Sequence, residues 1–161
     1  MLSYKETIKI NEDWADAHFV IQNFGAGERW QGTEHDQTPS FKYPLMFMED
    51  LPNPFGQREY IYAFRVWFVT MVESPEDRGA DLLFQEFTDA KSTMISCAQN
   101  LIAHWVQDVD YPDLEFSTSG SIEPFIDQTP DKVAGCWVDV QFKFNFNYDK
   151  CLIPSSDNTI G

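Results

Sequence analysis

Residues 133–148 alternate between apolar and polar side chains, and this alternation restricts the fold more than any other feature of the sequence. The even positions are apolar: Cys136, Val138, Val140, Phe142, Phe144 and Phe146. The odd positions after Trp137 are polar: Asp139, Gln141, Lys143, Asn145 and Asn147. Because successive side chains of a β-strand point to opposite faces of the sheet, we predict a strand whose even face lies in the core. Its odd face meets water or another subunit.

A second strand is predicted over residues 58–72, where the sequence REYIYAFRVWFVTMV is β-branched and aromatic almost throughout. Both of its faces are largely apolar, and only Glu59 and Arg65 interrupt one of them. A strand of this kind lies between two layers of a protein or faces a neighbouring subunit. We expect it to pair antiparallel with residues 133–147.

Two helices are expected to accompany the strands. Residues 80–107 carry apolar side chains at steps of three and four, which predicts a long amphipathic helix that covers the sheet. These positions are Leu83, Phe87, Ala90, Met94, Ala98, Leu101 and Trp105. A shorter stripe from Ile10 to Ile21 predicts an N-terminal helix over about residues 3–22, with Gly25 or Gly27 available to end it.

The remaining segments complete an α+β prediction. Pro44 favours an edge strand or the start of a strand in FKYPLMFMEDL, and LPNPFGQ is a turn. Residues 113–127 indicate a strand bent near Gly120 or Pro124. The order predicts one domain over residues 1–161, with an antiparallel sheet, one long helix on a face and an N-terminal helix. Residues 1–27 are its N-terminal helix or arm, and residues 153–161 form a flexible C-terminal tail.

The charge of the chain limits its partners. There are 26 acidic against 11 basic residues, which gives a net charge of −15. Such a surface repels phosphate, so ordinary nucleic-acid binding is disfavoured. It is either a solvated surface that aids solubility, or one that must not adhere to DNA or that meets a basic partner.

The sequence offers no recognisable catalytic or metal-binding motif. It has no phosphate-binding glycine loop and no nucleophile elbow. Cys97 lies among predicted core residues, which favours a buried, inert thiol. The three cysteines are widely spaced, as expected in a reducing cytoplasm. We therefore expect no enzyme activity, no metal and no cofactor, and neither a leader peptide nor a membrane span.

Several motifs taken together resemble a known family. The first motif is A-x-A-H-x-x-I-x-x-F-G-x-G, carried by Ala15, Ala17, His18, Ile21, Phe24, Gly25 and Gly27. YPLMFMEDLP follows, then the aromatic strand, the long helix, S-x-S-I-E-P-F and DKVAGCWVDVQF. This ordering, over residues 15–154, is similar to the tail terminator and tail-completion proteins of tailed bacteriophages, including crAss-like phages.

The resemblance implies a non-enzymatic virion protein that forms a ring in the neck or tail. Its partners would be copies of itself, six or twelve in a ring, and neighbouring portal, neck or tail proteins. DNA would pass through without specific binding, and the protein would be made in the host bacterial cytoplasm. The surfaces expected to meet neighbours are marked by Pro54, Phe55, Tyr60, Trp67, Ile153 and Ile160.

An acidic turn has two interpretations. Its residues are Glu73, Glu76, Asp77 and Asp81. The last three lie near the start of the long predicted helix, where the helix dipole favours negative charge. The functional alternative is that the turn faces the DNA channel of the ring and keeps it negative.

Two other functions remain open from the sequence. An aromatic face would also suit a soluble binding module that grips a glycan or a peptide edge. A hydrolase that uses scattered carboxylates is the least favoured, because no pair of acids has a placement that can be argued. A discrete ring under native conditions supports the first reading, and a monomer that binds glycan supports the binding module.

Overall fold

The sheet is built around two strands of thirteen residues that pair along their whole length. A computed structural model describes residues 2–27, 43–56, 59–72, 80–127 and 132–145, with the backbone alone for residues 80–83. The described elements are α1 (Tyr4–Ala17), β1 (Asn23–Gly27), β2 (Leu45–Asp50), β3 (Phe55–Gly56), β4 (Glu59–Met71), α2 (Ala80–Ala103), a π-helix (His104–Asp108), β5 (Leu114–Thr118), β6 (Glu123–Asp127) and β7 (Val133–Asn145). The predicted α+β class is confirmed.

The strands are arranged around the central β4–β7 pair. The order across the sheet is β1-β2-β4-β7-β5, with β3 on the β2 side of β4 and β6 on the β5 side of β7. The predicted antiparallel pairing of the two long strands is confirmed, with Trp67 opposite Trp137. β7 carries β6 along its first half and β5 along its second half.

The core lies between the even face of the two long strands and the two helices. β4 contributes Phe64, Val66 and Phe68, and β7 contributes Cys136, Val138, Val140, Phe142 and Phe144. α2 packs Met94, Cys97, Ala98 and Leu101 against them, and the π-helix adds Trp105. The even face of the closing strand is therefore buried, as predicted, from Cys136 to Phe144, and Phe146 lies outside the described residues. The helix predicted over residues 80–107 covers the sheet. No helix in the described ranges is long and apolar enough to span a membrane.

The N-terminal helix is shorter than predicted. Ser3 caps it, because its Oγ accepts from the Glu6 N–H at 3.1 Å while the Glu6 carboxylate accepts from the Ser3 N–H at 2.7 Å. The helix ends at Ala17, since His18 adopts an extended backbone conformation. The prediction of a helix to residue 22 was wrong because Ile21 reaches the core from an extended segment.

Residues 23–27 form a strand, which corrects two predictions. Gly25 and Gly27 do not end a helix; they belong to β1, which pairs parallel with β2. The sheet is therefore mixed, with β1–β2 as its parallel pair among the described residues. A Cβ atom at Gly25 would lie 2.8 Å from the ring of Phe47, so any other residue there would force that ring to move.

The predicted bend near Gly120 divides residues 114–127 into two strands. Gly120 has a φ of +86°, a conformation that side chains with a Cβ rarely adopt, and it lies between β5 and β6. Both strands pair antiparallel with β7 on the same edge. One bent segment thus borders the full length of the closing strand.

A buried polar network joins α1 to the π-helix. The Trp105 indole N–H donates to Asn11 Oδ1 at 2.9 Å, and the Asn11 amide donates to the Thr7 carbonyl at 2.8 Å. Asn11 and Thr7 are the two buried polar residues of the described core. Since the indole N–H has no access to water, its partner fixes how α1 sits on the sheet.

Replacing Asn11 by Ala is expected to lower the free energy of unfolding by about 2–3 kcal/mol, because it leaves the indole N–H unpaired and opens a small cavity. Urea unfolding followed by tryptophan fluorescence measures the loss. The control is the same substitution in a Trp105→Phe background, where no indole N–H remains and the loss should be smaller. Equal losses in both backgrounds would contradict the network.

Gly135 allows β7 to lie close to β4. A Cβ atom built at Gly135 would lie 1.9 Å from the carbonyl oxygen of Phe68 and 3.1 Å from Cα of Val69. Both are backbone atoms, so neither can rotate away. A glycine in the middle of a predicted strand is the sequence feature that marks this close approach.

Gly135→Ala should therefore destabilise the protein by about 2–4 kcal/mol, because β4 and β7 must separate to admit a methyl group. Thermal unfolding measured by circular dichroism gives the effect. Gly120→Asn is the control, since asparagine tolerates positive φ and open space surrounds that position. An unchanged melting temperature for Gly135→Ala would contradict the close approach.

Candidate functional site

The face of the sheet that points away from the helices is the first candidate surface. It carries the odd-numbered side chains of β4 and β7, including Trp67, Trp137, Arg65 and Asp139. Around these lie Phe47 of β2 and Phe125 of β6, which the strand register places on the same side. We call this surface the outer face.

An aromatic cluster occupies one end of the outer face. The rings of Trp67 and Trp137 have centroids 6.0 Å apart, and Phe125 meets Trp67 edge-on at 5.2 Å. The Trp67 indole N–H donates to Glu49 Oε2 at 2.9 Å. Beneath the aromatic rings, Leu45, Val69 and Val133 form a second, smaller core. The doubly apolar character of strand 58–72 is thus explained in part within the chain itself.

An ion pair crosses the middle of the outer face. The Arg65 guanidinium donates to Asp139 in a bidentate manner, with N···O distances of 2.8 and 3.2 Å. Its central carbon also lies 3.9 Å from the centroid of the Trp137 ring. The hydrogen bond to Asp139 raises the pKa of Arg65, so this group stays charged. The arrangement combines a charge-assisted pair with a cation–π contact.

Further along the same face, a lysine bridges two acidic residues on neighbouring strands. Lys143 Nζ lies 3.0 Å from Glu59 Oε1 and 4.0 Å from Glu115 Oε2. The hydrogen bond to Glu59 raises the pKa of Lys143. The outer face therefore changes from aromatic at one end to ionic at the other, and the charges on its ionic part are paired with each other.

A shallow groove of about 270 Å³ lies beside the ion pair. Ala63, Ser117 and Gln141 form its floor, and Asp139 borders it. In the described part of the chain, no three His, Cys, Asp or Glu residues are grouped as metal ligands would be. Burial raises the pKa of the Cys97 thiol to about 11 and that of Cys136 to about 12, so both sulfurs are protonated, inert core atoms.

The short hairpin formed by β3 and β4 carries two of the predicted interface residues. Pro54 and Phe55 are exposed, and 86% of the Phe55 surface is open to solvent. Phe55 pairs through its backbone with Tyr60, so the hairpin extends the sheet beyond its core. An aromatic side chain in this position contributes little to the core of its own chain.

The other predicted site residues are distributed differently. Tyr60 lies on the helix side of β4 and Trp67 on the outer face, so the two cannot form one flat surface. Asp81 lies in the first turn of α2, where only its backbone is described. Glu73, Glu76, Asp77, Ile153 and Ile160 lie outside the described residues, so the predictions for them stay predictions.

The Arg65–Asp139 pair was not predicted from the sequence. Arg65 was treated as an interruption of an apolar face, and Asp139 as one of several polar residues on the other strand. What links them is the register, which places these two residues directly opposite each other. An opposite charge within an antiparallel pair of predicted strands was the available clue.

Arg65→Lys should lower the free energy of unfolding by about 1 kcal/mol, because lysine keeps the charge but loses the bidentate geometry and the planar contact with Trp137. The effect stays modest because both side chains are about 30% exposed. Urea unfolding measures it. Lys9→Gln, which breaks a fully exposed pair with Asp13 on α1, should leave the urea midpoint unchanged. Equal effects of the two substitutions would contradict a special role for the Arg65 pair.

Comparison with known proteins adds no relative to this description. The sequence matches no protein-family model and no curated protein. The features that bear on function are therefore the exposed hairpin, the outer face and the charge of the chain.

Proposed function

We propose that this chain is a non-enzymatic structural subunit of a ring in the neck or tail of a tailed bacteriophage virion. The exposed hairpin carries the proposal. Phe55 is a large apolar side chain held on a short β-structure, outside its own core and next to Pro54. Aromatic side chains presented in this way are typical anchors of protein interfaces.

The outer face supports the same proposal. Its aromatic rings pack on one another and its charges form ion pairs, so the outer face is a partly apolar surface held by internal contacts and not a cleft. A ring subunit needs a surface toward each of two neighbours, because a head-to-tail contact uses two different patches. The hairpin and the outer face are two such patches on one subunit.

The charge of the chain fits a ring through which DNA passes. A subunit with a net charge of −15 repels phosphate and does not retain the duplex by non-specific contacts. We keep the acidic turn at Glu73, Glu76, Asp77 and Asp81 as the proposed lining of the channel. Stabilisation of the start of α2 remains the simpler role for the last three of these acids.

The alternative, a module that binds glycans or peptides through its aromatic face, has less support. Sugar binding requires an open ring face on which a pyranose can stack. One face of Trp137 is occupied by the Arg65 guanidinium, and Trp67 contacts both Trp137 and Phe125. These aromatic rings pack on one another and do not form a flat platform.

Phe55→Ser tests the proposal. The purified full-length chain should form discrete rings of six or twelve subunits in native mass spectrometry and negative-stain electron microscopy, and the variant should lose them. Its melting temperature should stay within a few degrees of the wild type, because Phe55 is exposed.

Phe84→Ser is the matched control, since Phe84 is also an exposed phenylalanine, 70% open to solvent, but lies on α2. It should leave the rings intact. A wild-type chain that remains monomeric and binds an oligosaccharide would favour the binding module instead. Rings that form equally well in Phe55→Ser would remove the hairpin from the interface.

A further inference from the structure

Charged residues are absent from one long part of the sequence. Residues 92–107 contain no Asp, Glu, Lys or Arg, and this is the longest charge-free run of the chain. The next longest is residues 17–27. In a chain with 37 charged residues among 161, both runs stand out, and they are far apart in sequence.

The fold brings these two runs together. The first covers the second half of α2 and most of the π-helix, and the second begins with the turn that follows α1. His18 Nε2 lies 3.4 Å from the Asn100 amide nitrogen, and Trp14 bridges His18 and His104 with ring centroids 4.9 and 6.5 Å away. The result is one continuous charge-free surface that includes His18, Phe19, Ser96, Asn100, Ala103 and Val106.

This charge-free surface exposes two large apolar side chains. Phe19 is 87% exposed and stacks on His18, and Val106 is 66% exposed on the π-helix. Between them, Asn100 and Ala103 are exposed as well. Within the described ranges, neither Phe19 nor Val106 belongs to a hydrophobic core cluster.

The hydroxyl groups of Thr93 and Ser96 are satisfied within α2, so covering them costs little. The hydroxyl of Ser96 donates to the Ser92 carbonyl at 3.1 Å, and that of Thr93 donates to the Asp89 carbonyl at 3.0 Å. His18 is neutral in this setting, because the Val20 N–H donates to its Nδ1 and burial lowers its pKa. Among the described residues, the charged residues that flank the two runs in the sequence are Asp16, Lys91 and Asp108.

We propose that the charge-free surface is the place where a second copy of this chain docks. The choice of occupant follows from charge. Two copies that each carry −15 repel one another, and like charges brought face to face cost free energy. A surface without charges lets them approach at the least cost. A basic partner would gain nothing at this surface and would bind better to an acidic one.

This inference rests on the proposed ring function, because it names one of the surfaces through which copies of the chain join. The charge-free part of α2 and the π-helix is about 24 Å long at 1.5 Å per residue. A strip of that length and one helix wide is smaller than a standard interface. It therefore acts together with the hairpin contact within an assembly.

Ala103→Glu on the full-length chain is the test, because it places one carboxylate in the centre of the surface. Sedimentation velocity across a concentration series measures self-association. We expect the apparent dissociation constant to rise by roughly tenfold or more. Thr88→Glu is the matched control: it adds the same charge to an exposed position of α2, outside residues 92–107, and should leave association unchanged. Circular dichroism confirms that both variants fold.

Salt provides a second readout. Raising NaCl from about 0.1 M to about 1 M shortens the Debye length from about 10 Å to about 3 Å. Association of wild type should then tighten, because repulsion between the copies is screened. Association that weakens with salt would overturn the proposal, since it would indicate an ionic contact or a basic partner surface.

The outcomes separate this inference from the ring proposal. If Ala103→Glu associates like wild type, the charge-free surface is not the contact, and the ring proposal is untouched. If Ala103→Glu abolishes an assembly that stops at a dimer, the surface is supported and the ring is contradicted. A wild-type chain that stays monomeric at every salt and protein concentration overturns both.

Discussion

The pairing of β4 with β7 is the constraint on which the rest of the structure depends. Thirteen residues of each strand lie opposite one another, and every other described strand except β1 pairs with one of these two. Gly135 permits the close approach, and a side chain there would meet the backbone of Phe68. Because the side-chain period is two, this single register decides at once which residues face the helices and which form the outer face.

Local patterning was sufficient to predict the elements that form this pair. The alternation in residues 133–148 identified the buried even face, and the steps of three and four in residues 80–107 identified α2 with its core side chains. Both patterns lie within consecutive residues, and each predicts which face of its own strand or helix is buried. A glycine at position 120 likewise indicated a bend. The structure shows a positive φ there, a conformation that most other residues avoid. The α+β class followed from the order of such segments.

The parts that could not be predicted depend on contacts between distant segments. Residues 18–22 continue a helical spacing, but the extended backbone at His18 and the pairing of β1 with β2 outweigh that weak preference. The register is the clearest case. Centring the predicted strands 58–72 and 133–147 on one another would place Arg65 opposite Val140, one residue from its real partner Asp139. The opposite charges of Arg65 and Asp139 indicated a possible pair, but a slip of one residue moves side chains to the other face, so only the observed register identifies the pair and its contact with Trp137.

The distribution of charge links the fold to its surfaces. Several charges on the outer face are paired across strands, as in Arg65–Asp139 and Lys143–Glu59. Where α2 and the turn after α1 meet, residues 92–107 and 17–27 contribute no charged side chain. A solvated helix gains solubility from charged residues on its exposed side, so a fold that only had to stay soluble would have no reason to leave residues 92–107 without them.

The buried Asn11–Trp105 bond gives that surface a fixed shape, because it joins α1 to the π-helix beneath it. A fixed, charge-free surface on a strongly acidic subunit is suited to contact with another acidic subunit, and the same core that closes the sheet holds it in place.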